Sequence, residues 1–154
     1  MRWDIEERTE DALSAYLRAN VTGDMRVYSA WESESPQFPC ASVFVESTDP
    51  VSPDAEWHDA RSLVVLVAIM TEASPEVDGS GDTIRTAREL NADARSDVLN
   101  ALCVSDLNER LINQGVASIA FSKAQLESTA RSVEDGVFIT TATLDIIADP
   151  VTGS

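Results

Sequence analysis

The sequence predicts an α+β fold, in which a mainly antiparallel sheet of about five strands carries two main helices on one face. Two segments place apolar residues at helical spacing, and five other segments are rich in apolar and β-branched residues, as strands are. These segments follow one another in the order α-β-β-β-α-(α)-β-β, and grouped strands with helices between the groups are typical of the α+β class. A length of 154 residues predicts a single domain, 1–154.

The first helix is predicted over 4–20. Asp4 and Glu7 form a variant of the capping box at its start. Residues at helical spacing predict its buried face: Ile5, Thr9, Ala12, Leu13, Tyr16 and Leu17. Two strands should follow, at 25–30 and 40–46, separated by a loop with two prolines.

The third predicted strand, 63–70, is apolar without interruption. A continuous apolar run, rather than alternation, indicates a strand that is buried on both faces. The segment is therefore either a central strand covered on both sides, or a strand with one face against another subunit. It is far too short to cross a bilayer, so no membrane partner is expected.

Long acidic loops are predicted on both sides of this strand, at 47–60 and 71–82. Asp82 and Thr83 provide helix-starting chemistry, so the second helix should run from there to about Leu102. A short third helix is expected at 105–111. The last two strands are predicted at 116–126 and 137–148, with turn chemistry at Asp135-Gly136 between them. On the last strand Thr141, Thr143 and Asp145 should share the face opposite to its apolar residues.

Charge is the strongest compositional signal. Twenty-seven acidic residues stand against eleven basic ones, which gives a net charge of -16, and Lys123 is the single lysine. Because phosphate contact needs clustered cations, and the arginines here are scattered, specific binding to nucleic acid is disfavoured. The N-terminal residues lack the features of a signal peptide. Cys40 and Cys103 are expected to be reduced, buried thiols.

No pattern in the chain supports catalysis, a cofactor or a metal. His58 and Asp59 are neighbours and should point to opposite sides of an extended segment. Asp93 and Asp97 lie one helical turn apart, which indicates a solvated charged face. Residues 76–81 resemble the start of a calcium loop, but Thr83 and Ala87 occupy places that need an apolar residue and a bidentate Glu. The chain is therefore not expected to be an enzyme.

Aromatic residues in predicted loops are candidates for contact with partners, because aromatic side chains anchor many interfaces. The alternative is that they fold back over the edge of the core. The candidate interface residues are Trp31, Phe38, Trp57 and His58.

Three segments of the sequence resemble those of a known family. They are Gly-Asp-Met-Arg-Val-Tyr at 23–28, Phe-Pro-Cys-Ala-Ser-Val-Phe-Val at 38–45, and Phe-Ile-Thr-Thr-Ala-Thr-Leu-Asp-Ile-Ile at 138–147. With the order of elements, they make the chain similar to the tail-terminator and tail-completion proteins of long-tailed bacteriophages. These segments contain no catalytic signature, and the resemblance does not extend to the long loops at 47–60 and 71–82.

The resemblance implies a homo-oligomeric ring, typically a hexamer, at the head-proximal end of the tail tube. Such a ring ends polymerisation of the tail-tube protein and joins the tail to neck and connector proteins. DNA would pass through it without specific binding, and Glu76, Asp78 and Asp82 are candidates to line that channel. The implied location is the virion tail, after assembly in the host cytoplasm. The alternatives are a neck connector, a tail-tube subunit, or a small-molecule-binding domain or enzyme.

Overall fold

A five-stranded sheet with helices on one face forms the body of the protein, which confirms the predicted α+β class. The structure, a computed structural model, describes residues 5–22, 25–29, 36–52, 54, 60–112 and 119–150. The elements are α1 (Ile5–Asn20), β1 (Arg26–Ser29), β2 (Cys40–Pro50), β3 (Arg61–Glu72), β4 (Glu76–Val77), β5 (Thr83–Arg85), α2 (Ala87–Leu102), α3 (Leu107–Ile112), β6 (Ile119–Glu134) and β7 (Val137–Pro150).

The strands of the main sheet lie in the order β1-β2-β3-β7-β6, so β3 and β7 occupy its centre. β1 pairs in parallel with β2, and the other neighbours are antiparallel. The register shifts once in β2, between Val45 and Ser47, and twice in β6. Because a bulge bends its strand and increases the local twist, these shifts curve both sides of the sheet.

The core lies between the helices and one face of this sheet, which we call the inner face. Along β3 every second residue is fully buried there, from Leu63 to Ile69, and the buried residues of β7 that pair with them run from Ile146 back to Thr140. The residues between them are only half-buried, and no helix of the described part covers that side. Of the two alternatives for 63–70, a strand covered on both sides within one copy does not fit the described residues, and a second face against another subunit stays a prediction.

Helix α1 forms as its sequence pattern predicts. All six residues of its predicted apolar face are buried. Thr9 tolerates burial because its hydroxyl donates to the carbonyl of Ile5 at 2.7 Å, and the Tyr16 hydroxyl donates to the carbonyl of Ala101 in α2. Arg18 near the C-terminus of α1 donates to the carbonyl of Val27 at 2.9 Å, which ties β1 to this helix.

Helix α2 begins later than predicted. Its N-cap is Thr86, whose Oγ1 accepts from the backbone N–H of Glu89 at 3.2 Å and donates to the Glu89 carboxylate at 3.1 Å. This N-cap starts the helix at Ala87 rather than at 82–83. Residues 76–85 form the small antiparallel ribbon of β4 and β5 instead, so Ile84 is 57% exposed and lies outside the core.

The predicted loops are shorter than expected, because strands extend into them. β2 continues through Pro50 and β3 through Glu72, which removes residues from both the 47–60 and the 71–82 loops. β6 runs to Glu134 rather than ending at Leu126, and the ladder with β7 holds this exposed extension in place. The predicted turn at Asp135-Gly136 is confirmed, and both residues have positive φ.

The two cysteines differ in their surroundings. Cys40 is fully buried, and burial raises the pKa of its thiol to about 11. Cys103, at the C-cap of α2, is exposed, so the expectation that it is buried is wrong. Both are free thiols.

Candidate functional site

Only one of the four aromatic and histidine candidates lies in the described part of the chain. Trp31, Trp57 and His58 fall outside the described residues. Phe38 is half-buried and is joined to Pro39 by a cis peptide bond. Both residues contribute to the wall of a cleft beside α2, so Phe38 keeps its place as a candidate contact residue.

This cleft, which we call the α2 cleft, has a volume of about 410 Å³. Apolar and acidic side chains meet in it: Met25, Phe38, Pro39, Pro75, Leu90 and Ala94 with Glu72, Glu76, Asp93 and Asp97. The volume falls within the range of small-ligand sites.

The carboxylates that α2 presents to the cleft already have partners. Asp97 accepts from the backbone N–H of Thr22 at 2.8 Å and from its hydroxyl at 3.0 Å, which ties the end of α1 to α2. Asp93 forms an ion pair with Arg85 of β5. The side chain of Asp93 is 66% exposed and Asp97 is half-buried, so the predicted solvated face is observed at Asp93 and is modified at Asp97 by the contact with Thr22. Through these contacts Asp97 joins the end of α1 to α2, and Asp93 joins β5 to α2. This structural role accounts for the two carboxylates without a catalytic one.

A second cleft, of about 510 Å³, lies between the end of α2 and β6. Cys103, Asn108 and Lys123 are among the side chains that line it. Asn108 donates to the carbonyl of Phe121 at 3.3 Å. Lys123 forms an ion pair with Asp145, so the polar groups of this cleft are likewise joined to the sheet.

The three candidate channel residues lie in the β4–β5 ribbon and are exposed. Asp78 organises the turn of this ribbon, because its Oδ1 accepts from the backbone N–H groups of Ser80 at 2.8 Å and Asp82 at 3.0 Å. Gly81, at φ +84°, supplies the conformation that the turn needs. The ribbon therefore presents Glu76 and Asp82 to solvent, while Asp78 also serves the local backbone.

Among the described residues, the second side of the main sheet is a broad surface that no helix covers. We call it the outer face and define it by the residues that alternate with the core positions of β2, β3, β7 and β6. It comprises Ser42, Phe44, Ser47, Asp49, Ser62, Val64, Leu66, Ala68, Met70, Ile139, Thr141, Thr143, Asp145, Ile147, Lys123, Gln125, Ser128, Ala130 and Ser132.

The middle of the outer face is apolar or uncharged. Its central rows run across the strands through Met70, Ala68 and Leu66, and the side chains paired beside them are Ser, Thr, Ala, Ile, Cys and Phe. Phe44, in the row of Leu66, is 36% exposed. An apolar centre of this kind is typical of the core of a protein interface.

Charged side chains of the outer face lie towards its ends. Asp49 lies in the row of Ser62, and Glu72 and Glu134 flank the opposite end of the strands. Between them, Lys123 Nζ contacts Asp145 Oδ2 at 2.7 Å, so this pair adds no net charge. The hydrogen bond with Asp145, and then the attraction of its charge, raise the pKa of Lys123. The single lysine of the chain therefore neutralises a carboxylate on this face.

Sequence reasoning pointed to loop aromatics rather than to this face. The signal was nevertheless present in two places. The uninterrupted apolar run of β3 indicated a second face that needs cover, and the predicted alternation in β7 placed Thr141, Thr143 and Asp145 together, which the structure confirms. What the sequence could not show is that β2 and β6 extend the same surface on both sides.

Metal and membrane features are lacking where the structure can be judged. Within the described ranges no three His, Cys, Asp or Glu side chains come together in a way that could hold a metal ion. Among the same residues, no helix combines the length and apolar character that crossing a bilayer requires. Neither a protein-family model nor a curated protein matches the chain.

Proposed function

We propose that this protein is a structural component of a phage virion that forms a ring at the head-proximal end of the tail tube. In this role it ends tube polymerisation and joins the tail to neck and connector proteins, without catalysis or a cofactor. The resemblance of the three segments at 23–28, 38–45 and 138–147 to tail-terminator and tail-completion proteins supports this choice of assembly. The location would be the virion tail, following assembly in the host cytoplasm.

The single observation that carries the proposal is the separation of charge in the molecule. The outer face has an uncharged centre, although the chain as a whole carries a net charge of -16. Acidic side chains instead occupy α1, α2 and the β4–β5 ribbon. A molecule whose outer face has an uncharged centre and whose other surfaces carry carboxylates suits a ring in which copies meet through protein contacts and carboxylates face a polyanion.

A channel that DNA crosses should repel phosphate. Carboxylates do so over about 8 Å at physiological salt, so only side chains near the lumen contribute. Glu76 and Asp82 are the proposed lumen residues whose substitution leaves the turn intact, because Asp78 holds the backbone of the ribbon.

The mass and symmetry of the purified assembly test the proposal directly. We expect closed rings, with six copies as the predicted number, in negative-stain micrographs and native mass spectra. Long cylinders would identify a tail-tube subunit instead, and a chain that stays monomeric at high concentration and does not bind tube ends would refute the ring. Rings that bind connectors but not tube ends would support a neck protein.

The placement of charge can be tested separately on assembled rings. The double variant Glu76→Gln/Asp82→Asn should increase retention of double-stranded DNA on the rings, measured by fluorescence anisotropy at low salt. The matched control is Glu109→Gln/Glu127→Gln, which removes the same charge from exposed positions of α3 and β6. Equal DNA retention by both variants would remove the ribbon from the channel.

A further inference from the structure

We propose that the outer face is the contact through which one copy of this chain binds a second copy. Three properties of the face support this assignment: its size, its composition and its charge. Because the proposed ring needs a contact between neighbouring copies, the assignment rests on the proposed function.

The size of the face matches what a stable contact needs. Four strands spaced about 4.8 Å apart give a width of about 19 Å. β3 has 12 residues, and at about 3.3 Å a residue it gives a length of about 40 Å. The resulting area is roughly 750 Å², close to the ~800 Å² that each partner contributes to an interface of standard size.

The composition of the face is that of an interface with a centre and a rim. Leu66, Ala68 and Met70 lie at the centre, where they are only half-buried by their neighbours in the same sheet. Asp49, Glu72 and Glu134 lie at the ends of the strands, as charged side chains do at the rim of protein interfaces. Lys123 and Asp145, further in, are paired with each other. Small residues such as Ser42 and Ala130 flank the central row and leave it open to close approach.

The lack of charge at the centre of the face suits a second copy of this acidic chain as the occupant. Two chains that each carry a net charge of -16 repel one another, and burying unpaired carboxylates between them would add a large desolvation cost. The central rows of the outer face avoid this cost because they carry no charged side chain. A cationic partner would gain nothing from these rows and would be drawn to the acidic helices instead.

The strength of binding between two acidic copies depends on salt in a distinctive way. Added salt shortens the screening length from about 10 Å at 0.1 M to about 3 Å at 1 M, so it weakens repulsion between two acidic copies. Self-association through the outer face should therefore become stronger as salt increases. Binding of a cationic partner would become weaker, which separates the two occupants in one titration.

The test is sedimentation velocity of the full chain over a wide range of concentration, at low and high sodium chloride. The key variant is Leu66→Glu, which places a carboxylate at the centre of the face. The matched control is Ile84→Glu, because Ile84 is an exposed apolar residue of the ribbon, away from the main sheet. Circular dichroism of each variant reports folding. Should Leu66→Glu fail to fold, Phe44→Glu replaces it, because Phe44 is already 36% exposed.

We expect the wild type and Ile84→Glu to self-associate more tightly at high salt. We expect the variant at the centre of the face to lose at least about tenfold in association constant, which corresponds to about 1.4 kcal/mol. A wild type that stays monomeric under all conditions, or a folded Leu66→Glu variant that assembles as the wild type does, would overturn the proposal. So would association that weakens as salt is added.

Failure of this contact and failure of the proposed function are distinguishable. A wild type that forms only closed dimers, dissociated by Leu66→Glu, would support the contact and refute the ring. Rings that persist in the folded Leu66→Glu variant would keep the ring and refute the outer face as its contact. The two results come from the same sedimentation and electron-microscopy samples.

Discussion

Two neighbouring valines in β3 provide a sharp test of how the sheet is covered. Val65 is fully buried on the inner face, where it pairs with Val45 and Leu144. Val64 has the same side chain one position earlier, but it lies on the outer face and is only half-buried. The two residues share one strand, so substitution by alanine changes strand propensity similarly at both positions, and the difference between them isolates burial.

The expected costs follow from the carbon atoms that each substitution removes. Val65→Ala removes two fully buried carbon groups, each contributing about 0.8 kcal/mol, and leaves a small cavity. We expect a total loss of about 2–3 kcal/mol in the free energy of unfolding. Val64→Ala removes groups that are partly in water already, so we expect a loss of less than about 1 kcal/mol in the isolated chain.

Urea unfolding, followed by circular dichroism at low protein concentration, measures both values. Similar m-values for the two variants would show that the difference arises from stability and not from a change in the exposed surface. Equal losses for Val64→Ala and Val65→Ala would refute the description of β3, because they would mean that both sides of the strand are covered equally within one copy. A Val64→Ala cost that grows with protein concentration would instead indicate cover by another copy.

Three further measurements test individual interactions. Burial raises the pKa of Glu10, although its carboxylate accepts a hydrogen bond from the backbone N–H of Val45, at the β2 bulge, at 2.8 Å. The folded state therefore binds the carboxyl proton of Glu10 more tightly than the unfolded state does. Stability should therefore fall as pH rises from about 4.3, the unfolded pKa, through the higher folded pKa, and Glu10→Gln should show a shallower fall in urea midpoint; parallel profiles would contradict this. Thr86→Ala should cost about 1 kcal/mol by removing the N-cap of α2, whereas the unchanged midpoint of thermal unfolding would show that the cap is dispensable. A thiol reagent at mildly alkaline pH should label Cys103 rapidly and Cys40 slowly, and Cys103→Ser should abolish the rapid phase; two rapid thiols in the wild type would contradict the burial of Cys40.

Periodicity predicted the elements whose burial is one-sided and regular. The six positions of the predicted apolar face of α1, from Ile5 to Leu17, follow the helical period, and each of the six is buried as expected. The alternation of β7 likewise assigned its two faces correctly. In both cases each side chain meets one environment, so the local pattern contains the information that tertiary packing later uses.

Other boundaries depend on contacts that a local pattern does not contain. The pattern predicted Ile84 to lie within α2, but Ile84 belongs to the β4–β5 ribbon. The N-cap at Thr86 sets the start of the helix. The second half of β6 lacks buried residues, so no apolar alternation marks it as a strand. It is extended because β7 pairs with it, and pairing with a distant partner cannot be read from the strand alone.

The candidate site shows the same limit. The apolar run of β3 predicted that something must cover its second face, yet its neighbours Phe44 and Thr143 join that face only through the order of the strands. A sequence pattern assigns faces within one strand, whereas a surface arises when several strands are placed side by side. The loop aromatics were therefore the more visible candidates, even though three of the four lie outside the described residues.

The central position of β7 has a consequence for how the chain folds. Its pairs with β3 join residues that are 65 positions apart, at Glu72 and Val137, to 87 positions apart, at Arg61 and Ala148. Closing such long loops costs entropy before the contacts form, and proteins dominated by non-local pairs fold slowly. During synthesis 65 positions separate Glu72 of β3 from Val137 of β7, so the apolar residues of β3 have only β2 as a strand partner until β7 emerges. This interval is when the chain is most prone to aggregate, and a chaperone that holds nascent apolar strands should raise its yield.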